Sequence, residues 1–223
     1  MNTSQTPKHD AFVADRLTCI RGQRLVFTDL SFTIAPGCAT VLRGPNGSGK
    51  SSLLRLVAGL LKPATGRMTW AGADVAADRE FHRRQVRYVG HQDAVKPTLT
   101  VDENLRHWAA IYGESRPTKA AVRDALSTQD LTGLADLPAR LLSAGQRRRL
   151  NLVRLVFSPG HLWLLDEPTV SLDAESVTRL ETSLREHLDR KGSALIATHV
   201  GLTIGPHDTV ELSPARQLDE YDA

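Results

Sequence analysis

The residues Gly44-Pro45-Asn46-Gly47-Ser48-Gly49-Lys50-Ser51 fit the pattern G-x-x-x-x-G-K-[ST], which binds phosphate when it lies between a strand and a helix. Its glycines let the backbone wrap closely, so that N–H groups point at phosphate oxygens while the helix N-terminus adds positive partial charge. Lys50 is expected to reach the β- and γ-phosphates, Ser51 to hold Mg²⁺, and Ser52 to extend the binding turn. Leu162-Trp163-Leu164-Leu165-Asp166-Glu167 is an apolar run ending in two acids. Asp166, at the carboxyl end of a strand beside the phosphate loop, is placed to hold Mg²⁺ through water, and Glu167 to orient or deprotonate an attacking water. Leu142-Ser143-Ala144-Gly145-Gln146 opens a helix with Ser143 at its N-cap, a second anion site. Two anion sites in one chain suggest two chains sharing one triphosphate.

These groups need a scaffold, and the chain supplies an α/β pattern. Arg24-Leu25-Val26-Phe27 and Leu30-Ser31-Phe32-Thr33-Ile34 are β-rich, Pro36-Gly37 is a turn, and Ala39-Thr40-Val41-Leu42 reads as a buried strand directly before the glycine loop. A largely buried helix is expected from Lys50 to Leu60, stopped before Pro63. From Asp93 to Pro159 the pattern turns helical. Thr100-Val101-Asp102-Glu103 is a capping box ahead of Leu105, Trp108, Ala109 and Tyr112, a second helix starts near Pro117-Thr118, and a third runs from Ser143 to about Phe157. Leu150, Leu152, Val153 and Val156 form that third helix's inner side, and Pro159-Gly160 stops it. Strands at Leu162–Leu165 and Ala194–Thr198 then flank a helix from about Ala174 to Arg190 that Gly192 ends. Strand and helix alternating on both sides of a helical insertion imply a mostly parallel sheet with a helical subdomain.

Composition narrows the class. The 223 residues carry 28 Lys+Arg against 25 Asp+Glu, with 41% apolar residues and two cysteines, the composition of a globular domain. The longest stretch without Asp, Glu, Lys or Arg, from Gly192 to His207, contains three glycines and Pro206 and is too short and too polar to span a bilayer. No apolar segment in the first ten residues suggests a signal or anchor. Cys19 and Cys38 lack CxxC spacing and read as ordinary reduced thiols. The basic residues are scattered apart from Arg83-Arg84 to Arg87 and Arg147-Arg148-Arg149, which read as solvated helix faces or contacts to an acidic partner, and nucleic acid is not expected.

With Leu142-Ser143-Ala144-Gly145-Gln146 beside the phosphate loop and the Asp166-Glu167 pair, the chain resembles the ATP-binding cassette (ABC) family, whose signature reads L-S-G-G-Q, over nearly its whole length. The resemblance implies a P-loop NTPase core with an N-terminal antiparallel β region, a mostly parallel sheet and a helical subdomain. It implies one nucleotide-binding domain over residues 11–218, its core at 11–92 and 160–210, its helical part at 93–159, and flexible tails at 1–10 and 219–223; by composition the ends Met1 to about Asp10 and Leu212 to Ala223 read as polar and mobile. By the same resemblance Gln92 links Mg²⁺ and the lytic water to a membrane partner, His199 contacts the γ-phosphate, and Asp173 touches a second copy of the chain. Gly145, Gln146 and Ser143 face the nucleotide of that second copy. Two positions depart from the family pattern. Ala144 replaces a signature glycine and adds a methyl group near the opposing γ-phosphate, and Arg21 stands where an aromatic residue usually stacks on adenine, a role a planar guanidinium can take.

Tyr88-Val89-Gly90-His91-Gln92, Leu99-Thr100 with Glu103-Asn104-Leu105, and the alanine-containing signature followed by Arg147-Arg148-Arg149 are similar to the haem-exporter ATPases of bacterial cytochrome c maturation. That resemblance implies an ATPase using ATP and Mg²⁺, peripheral on the cytoplasmic face of the inner membrane, partnered by a second copy of itself and by integral membrane subunits resembling CcmB and CcmC. Haem handling falls to the partners, since no CxxCH is present and the eight histidines are scattered. The motifs also suit an ATPase serving another small-solute or lipid transporter, or a non-transport ATPase of the family. The lack of a coiled-coil insertion and the single cassette argue against the DNA-repair and translation relatives, and the absence of an N-K-x-D run argues against a GTPase.

Overall fold

The computed structural model describes residues 11–112, 117–157 and 160–213. β1 (Phe12–Arg21) and β2 (Arg24–Ile34) form an antiparallel hairpin that turns on Gly22-Gln23, Gly22 having φ 61°. The turn Pro36-Gly37 leads into β3 (Ala39–Arg43), and the phosphate loop connects β3 to helix α1 (Lys50–Val57). β4 (Thr65–Trp70) returns to pair with β1 and is followed by β5 (Ala73–Asp74), helix α2 (Arg79–Gln85) and β6 (Val86–Val89). Three helices follow, α3 (Val101–Ile111), α4 (Lys119–Ser127) and α5 (Ala144–Phe157), the last two separated by short 3₁₀ turns. The chain then forms β7 (Leu162–Asp166), α6 (Ala174–Asp189), β8 (Ser193–Ala197) and β9 (His207–Glu211).

The strands make an antiparallel sheet ordered β2-β1-β4-β5 and a five-stranded parallel sheet ordered β6-β7-β8-β3-β9. β7 and β8 are buried along their whole length because both faces of the parallel sheet are covered, as expected for strands without polar alternation. Alternate residues of one strand enter different cores: Leu162 and Leu164 pack with α1 and the antiparallel sheet, Trp163 and Leu165 with α5 and α6. A third core joins Leu105 and Trp108 of α3 with Leu126 of α4 and Leu150 and Val153 of α5. Helix α5 therefore has two buried faces, one on the sheet and one on the helical layer. Behind the sheet, the His187 ring stacks on Trp163 at 4.0 Å, and burial pushes that imidazole down to about 4, keeping it neutral against the strand that carries Asp166.

Register decides what the sheet brings together. Leu42 and Asp166 both pair with Ala197, so the carboxyl ends of β3, β7 and β8 lie side by side. The phosphate loop, Asp166-Glu167 and Thr198-His199 leave the sheet at that one edge, where open parallel sheets bind ligands.

The main elements lie where the sequence pattern put them, down to the capping box at Thr100, where Glu103 N–H donates to Thr100 Oγ1 and Glu103 Oε2 accepts from Thr100 N–H. Cys19 and Cys38 are free thiols, as expected. Four expectations are corrected. Helix α1 stops at Val57 rather than Leu60, because Gly59 takes φ 71°, and Leu60 is 63% exposed. The stretch from Leu212 onward does not begin as a free polar end, since Leu212 is buried and its N–H donates to Arg43 O. Val156 is only half-buried, its place on the inner side of α5 taken by Leu155. The arginine knots are not solvated faces throughout: Arg87, Arg148 and also Arg154 are buried, each between layers and bonded to backbone carbonyls. β1, β4, β5, α2, β6 and β9 have no individual counterpart in the sequence reading. The proposed tails 1–10 and 219–223, and Pro159 in the helix stop, lie outside the described residues.

Candidate functional site

A cleft of about 360 Å³ opens at the carboxyl edge of the parallel sheet, lined by Arg21, Arg24 and Val26 of the hairpin, by Asn46, Gly47, Gly49, Lys50, Ser51 and Ser52, and by Asp166 and Glu167. The loop's shape depends on its glycines. Gly44, Gly47 and Gly49 have φ of 137°, 81° and 103°, and a Cβ on Gly44 would fall 2.2 Å from Leu212 O. Gly49 is pressed from the other side, where a Cβ would fall 2.5 Å from Val26 Cγ1. Helix α1 starts on Gly49 without a side-chain cap and without an acid in its first turn, so its first N–H groups face the loop unclaimed by a side chain. Lys50 Nζ donates to Gly44 O at 2.7 Å and Pro45 O at 3.1 Å, which holds the ammonium over the loop. Ser48 is fully buried, with its N–H donating to Pro45 O.

The sheet brings a second set of groups to the loop. Ser51 Oγ donates to Asp166 Oδ1 at 3.1 Å across 115 residues of sequence. Asp166 is 2% exposed, and among the described residues its Oδ2 has no hydrogen-bond partner. A hydroxyl and a carboxylate oxygen with an unclaimed lone pair are hard oxygen donors, so these residues fit Mg²⁺. Among the described residues no cluster of three His, Cys, Asp or Glu side chains offers a zinc-type site.

Glu167 has φ 46°, a left-handed backbone that a residue with a side chain keeps only when its surroundings hold it. Its N–H donates to Ala197 O at 2.8 Å, and its Oε1 lies 3.5 Å from His199 Nε2. That same His199 Nε2 lies 3.0 Å from Asn46 Oδ1, so the histidine joins the loop to the acid.

The remaining expected residues are distributed as follows. Arg21 lines the cleft, and so does its strand partner Arg24, which the sequence reading missed; the two-residue turn at Gly22-Gln23 was the available signal that both flank one hairpin end. Gln92 is exposed on the segment after β6 and is not among the cleft-lining residues. Ser143, Gly145 and Gln146 do not line the cleft either. Ser143 Oγ accepts from Gln146 N–H at 3.1 Å while Gln146 Oε1 accepts from Ser143 N–H at 2.8 Å, a reciprocal cap on α5. Ala144 is exposed, whereas a Cβ on Gly145 would fall 2.9 Å from Ser171 O. Asp173 is the N-cap of α6, accepting from Ser176 N–H at 2.8 Å, and its bonds to Ser176 hold the carboxyl below the usual range.

Residues 27–170 match the model of the ABC transporter family. The chain is 50% identical over 193 residues to the cytochrome c biogenesis ATP-binding export protein CcmA of Rhodospirillum rubrum, covering 86% of this chain and 82% of that protein. It is equally 50% identical, over 194 residues, to the protein of the same name from Paramagnetospirillum magneticum, with 86% and 89% covered. Its fold is similar to a solved ATP-binding subunit of an ABC transporter, with a TM-score of 0.80, 24% identity, and 90% and 85% of the two chains covered.

Proposed function

The chain belongs to the ABC transporter family of ATP-binding proteins and, within it, groups with the cytochrome c biogenesis ATP-binding export proteins, and on that premise we propose that it is the ATP-hydrolysing subunit of a membrane haem exporter in c-type cytochrome biogenesis. The observation that carries the catalytic part is the gathering of Lys50, Ser51, Asp166 and Glu167 in one cleft, with His199 joining Glu167 to the phosphate loop.

In this reading the loop N–H groups and Lys50 hold the β- and γ-phosphates, Arg21 packs on the adenine, and Ser51 and Asp166 hold Mg²⁺, which neutralises phosphate charge. Glu167 orients a water and takes its proton as the water oxygen attacks the γ-phosphorus; the bond to the bridging oxygen breaks, leaving ADP and phosphate. His199 donates to the γ-phosphate, and Gln92 enters the site from the segment after β6. The second copy of the chain presents Ser143, Gly145 and Gln146 to the same ATP in a head-to-tail dimer, with Asp173 at the contact. ATP binding closes the dimer and hydrolysis resets it.

Among the described residues no helix is long and apolar enough to cross a membrane, so the pore belongs to partners, which we take to resemble CcmB and CcmC, with this chain peripheral on the cytoplasmic face of the inner membrane. A groove of about 830 Å³ between α2, β6 and α3 carries Leu60 and Ile111, 63% and 62% exposed, beside Arg83 and Arg84. We assign it to a cytoplasmic segment of a membrane subunit that presents apolar and acidic side chains.

Glu167→Gln should lower turnover by about 10²- to 10⁴-fold while ATP binding is kept, measured as steady-state hydrolysis against nucleotide affinity. Turnover that survives the change removes the role given to Glu167. For the transport assignment, c-type cytochrome content should collapse in a deletion strain and return with the wild-type gene; normal content in the deletion removes haem export.

A further inference from the structure

Arg148 lies in the second turn of α5, in a run of three arginines, yet it is 3% exposed. Its guanidinium is spent almost wholly on backbone. Nη2 donates to Glu167 O at 2.7 Å and Asp166 O at 3.0 Å, Nε to Pro168 O at 3.3 Å, and Nη1 to Gly90 O at 2.9 Å. Nη1 also lies 3.3 Å from Asp93 Oδ1, which accepts from Asn151 Nδ2 at 3.1 Å as well. Gly90 and Asp93 flank Gln92, and the other three carbonyls surround Glu167. One planar fork thus meets both segments.

We infer that Arg148 is a positioning residue for hydrolysis: it fixes the backbone that aims Glu167 and holds it in register with the segment that carries Gln92 and with the signature helix. The need for such a clamp is visible in Glu167 itself. Its φ of 46° is held on the amide side by Ala197 O, and its carbonyl is held by Arg148. Five donors in a rigid plane can serve carbonyls on two sides at once, which a lysine ammonium on a flexible stem cannot do. Of the cleft-lining residues Arg148 bonds the backbone carbonyls of Asp166 and Glu167 and none in the phosphate loop, so it acts through Glu167. Because Ser143 caps the start of α5, the same clamp links the helix that addresses a second copy's ATP to the acid that serves its own.

This inference rests on the role proposed for Glu167, and the experiment separates the two. The full chain is compared as wild type, Arg148→Lys, Arg148→Gln, Glu167→Gln and the double variant Arg148→Lys with Glu167→Gln, by ATP affinity, steady-state kinetics and single-turnover hydrolysis. Arg148→Lys should lower kcat by about 10- to 100-fold, the scale of a small misplacement of a reacting group, with KM for ATP changed less than about threefold. In the Glu167→Gln background the same substitution should change the residual rate by less than about threefold, since a group acting through Glu167 has little left to act on. A rise in KM with kcat intact, an undiminished loss in the Glu167→Gln background, or no loss at all overturns the inference. Loss of ATP binding together with turnover in both Arg148 variants does so too, by making Arg148 a scaffold group. A wild-type chain without ATPase activity, or a fully active Glu167→Gln chain, instead overturns the proposed function.

Discussion

Helix α1 begins on Gly49, whose left-handed backbone leaves the first turn with no side-chain cap and no acid, while helix α5 begins on Ser143, whose hydroxyl and amide are both engaged by Gln146. Both first turns carry positive partial charge and both were expected to meet phosphate. The difference is in what competes for it. At α1 nothing does, and Lys50 adds a full charge, so the anion site proposed at this end draws on groups of one chain alone. At α5 one orphan N–H is already satisfied from within, so an arriving phosphate meets a finished cap. An end of that kind suits a surface that recognises a nucleotide held elsewhere.

Lys50→Ala should produce the largest effect, about 2–5 kcal/mol of ATP binding, because it removes a charged partner of the phosphates. Equilibrium nucleotide titration of the single chain checks this, and unchanged affinity would erase the distinction between the two helix ends. Gly49→Ala comes next, at about 1–2 kcal/mol from the left-handed backbone alone, with the Val26 contact adding to it. Thermal unfolding and ATP affinity should fall together, since the same residue shapes the loop and starts the helix. Ser143→Ala should cost about 1 kcal/mol of stability through the lost cap while leaving single-chain ATP affinity unchanged. An affinity loss as large as that of Lys50→Ala would make α5 part of the same-chain site. Ala144→Gly should be smallest, under about 1 kcal/mol in stability and less than tenfold in turnover, because Ala144 is exposed and phosphate donors at a helix start are backbone N–H groups. The neighbouring Gly145, pressed on Ser171 O, is the position where a methyl group has no room.

Legibility divided along the same line. The phosphate loop, the Thr100 cap, the helix start near Thr118 and the acid-ended strand were readable because each is a contiguous pattern whose chemistry lies in its own side chains or in local backbone preference. Arg148 was misread as part of a solvated charge run because its partners are carbonyls of Gly90, Asp166, Glu167 and Pro168. Every residue has a carbonyl, so no residue type announces that one of them will accept. Arg87 and Arg154 were hidden for a related reason: the rings they cover, Trp108 on α3 and Tyr112 just after it, belong to the helical layer, and no local period reveals which arginines that layer meets. Leu212, read as the start of a polar end, is ordered by one long-range bond to Arg43 O and by its place against Gly44.

The sequence by itself determined that a glycine loop of phosphate-binding pattern would form between a strand and a helix, because left-handed glycines, a following helix and Lys50 are local properties of eight neighbouring residues. The tertiary structure alone decided that Ser51 meets Asp166, that His199 stands between Asn46 and Glu167, and that Arg148 grips the backbone on both sides of the site. Those meetings follow from the parallel register in which Leu42 and Asp166 flank Ala197. The order of strands in a sheet is set by how distant apolar faces bury one another, which no single stretch of sequence encodes.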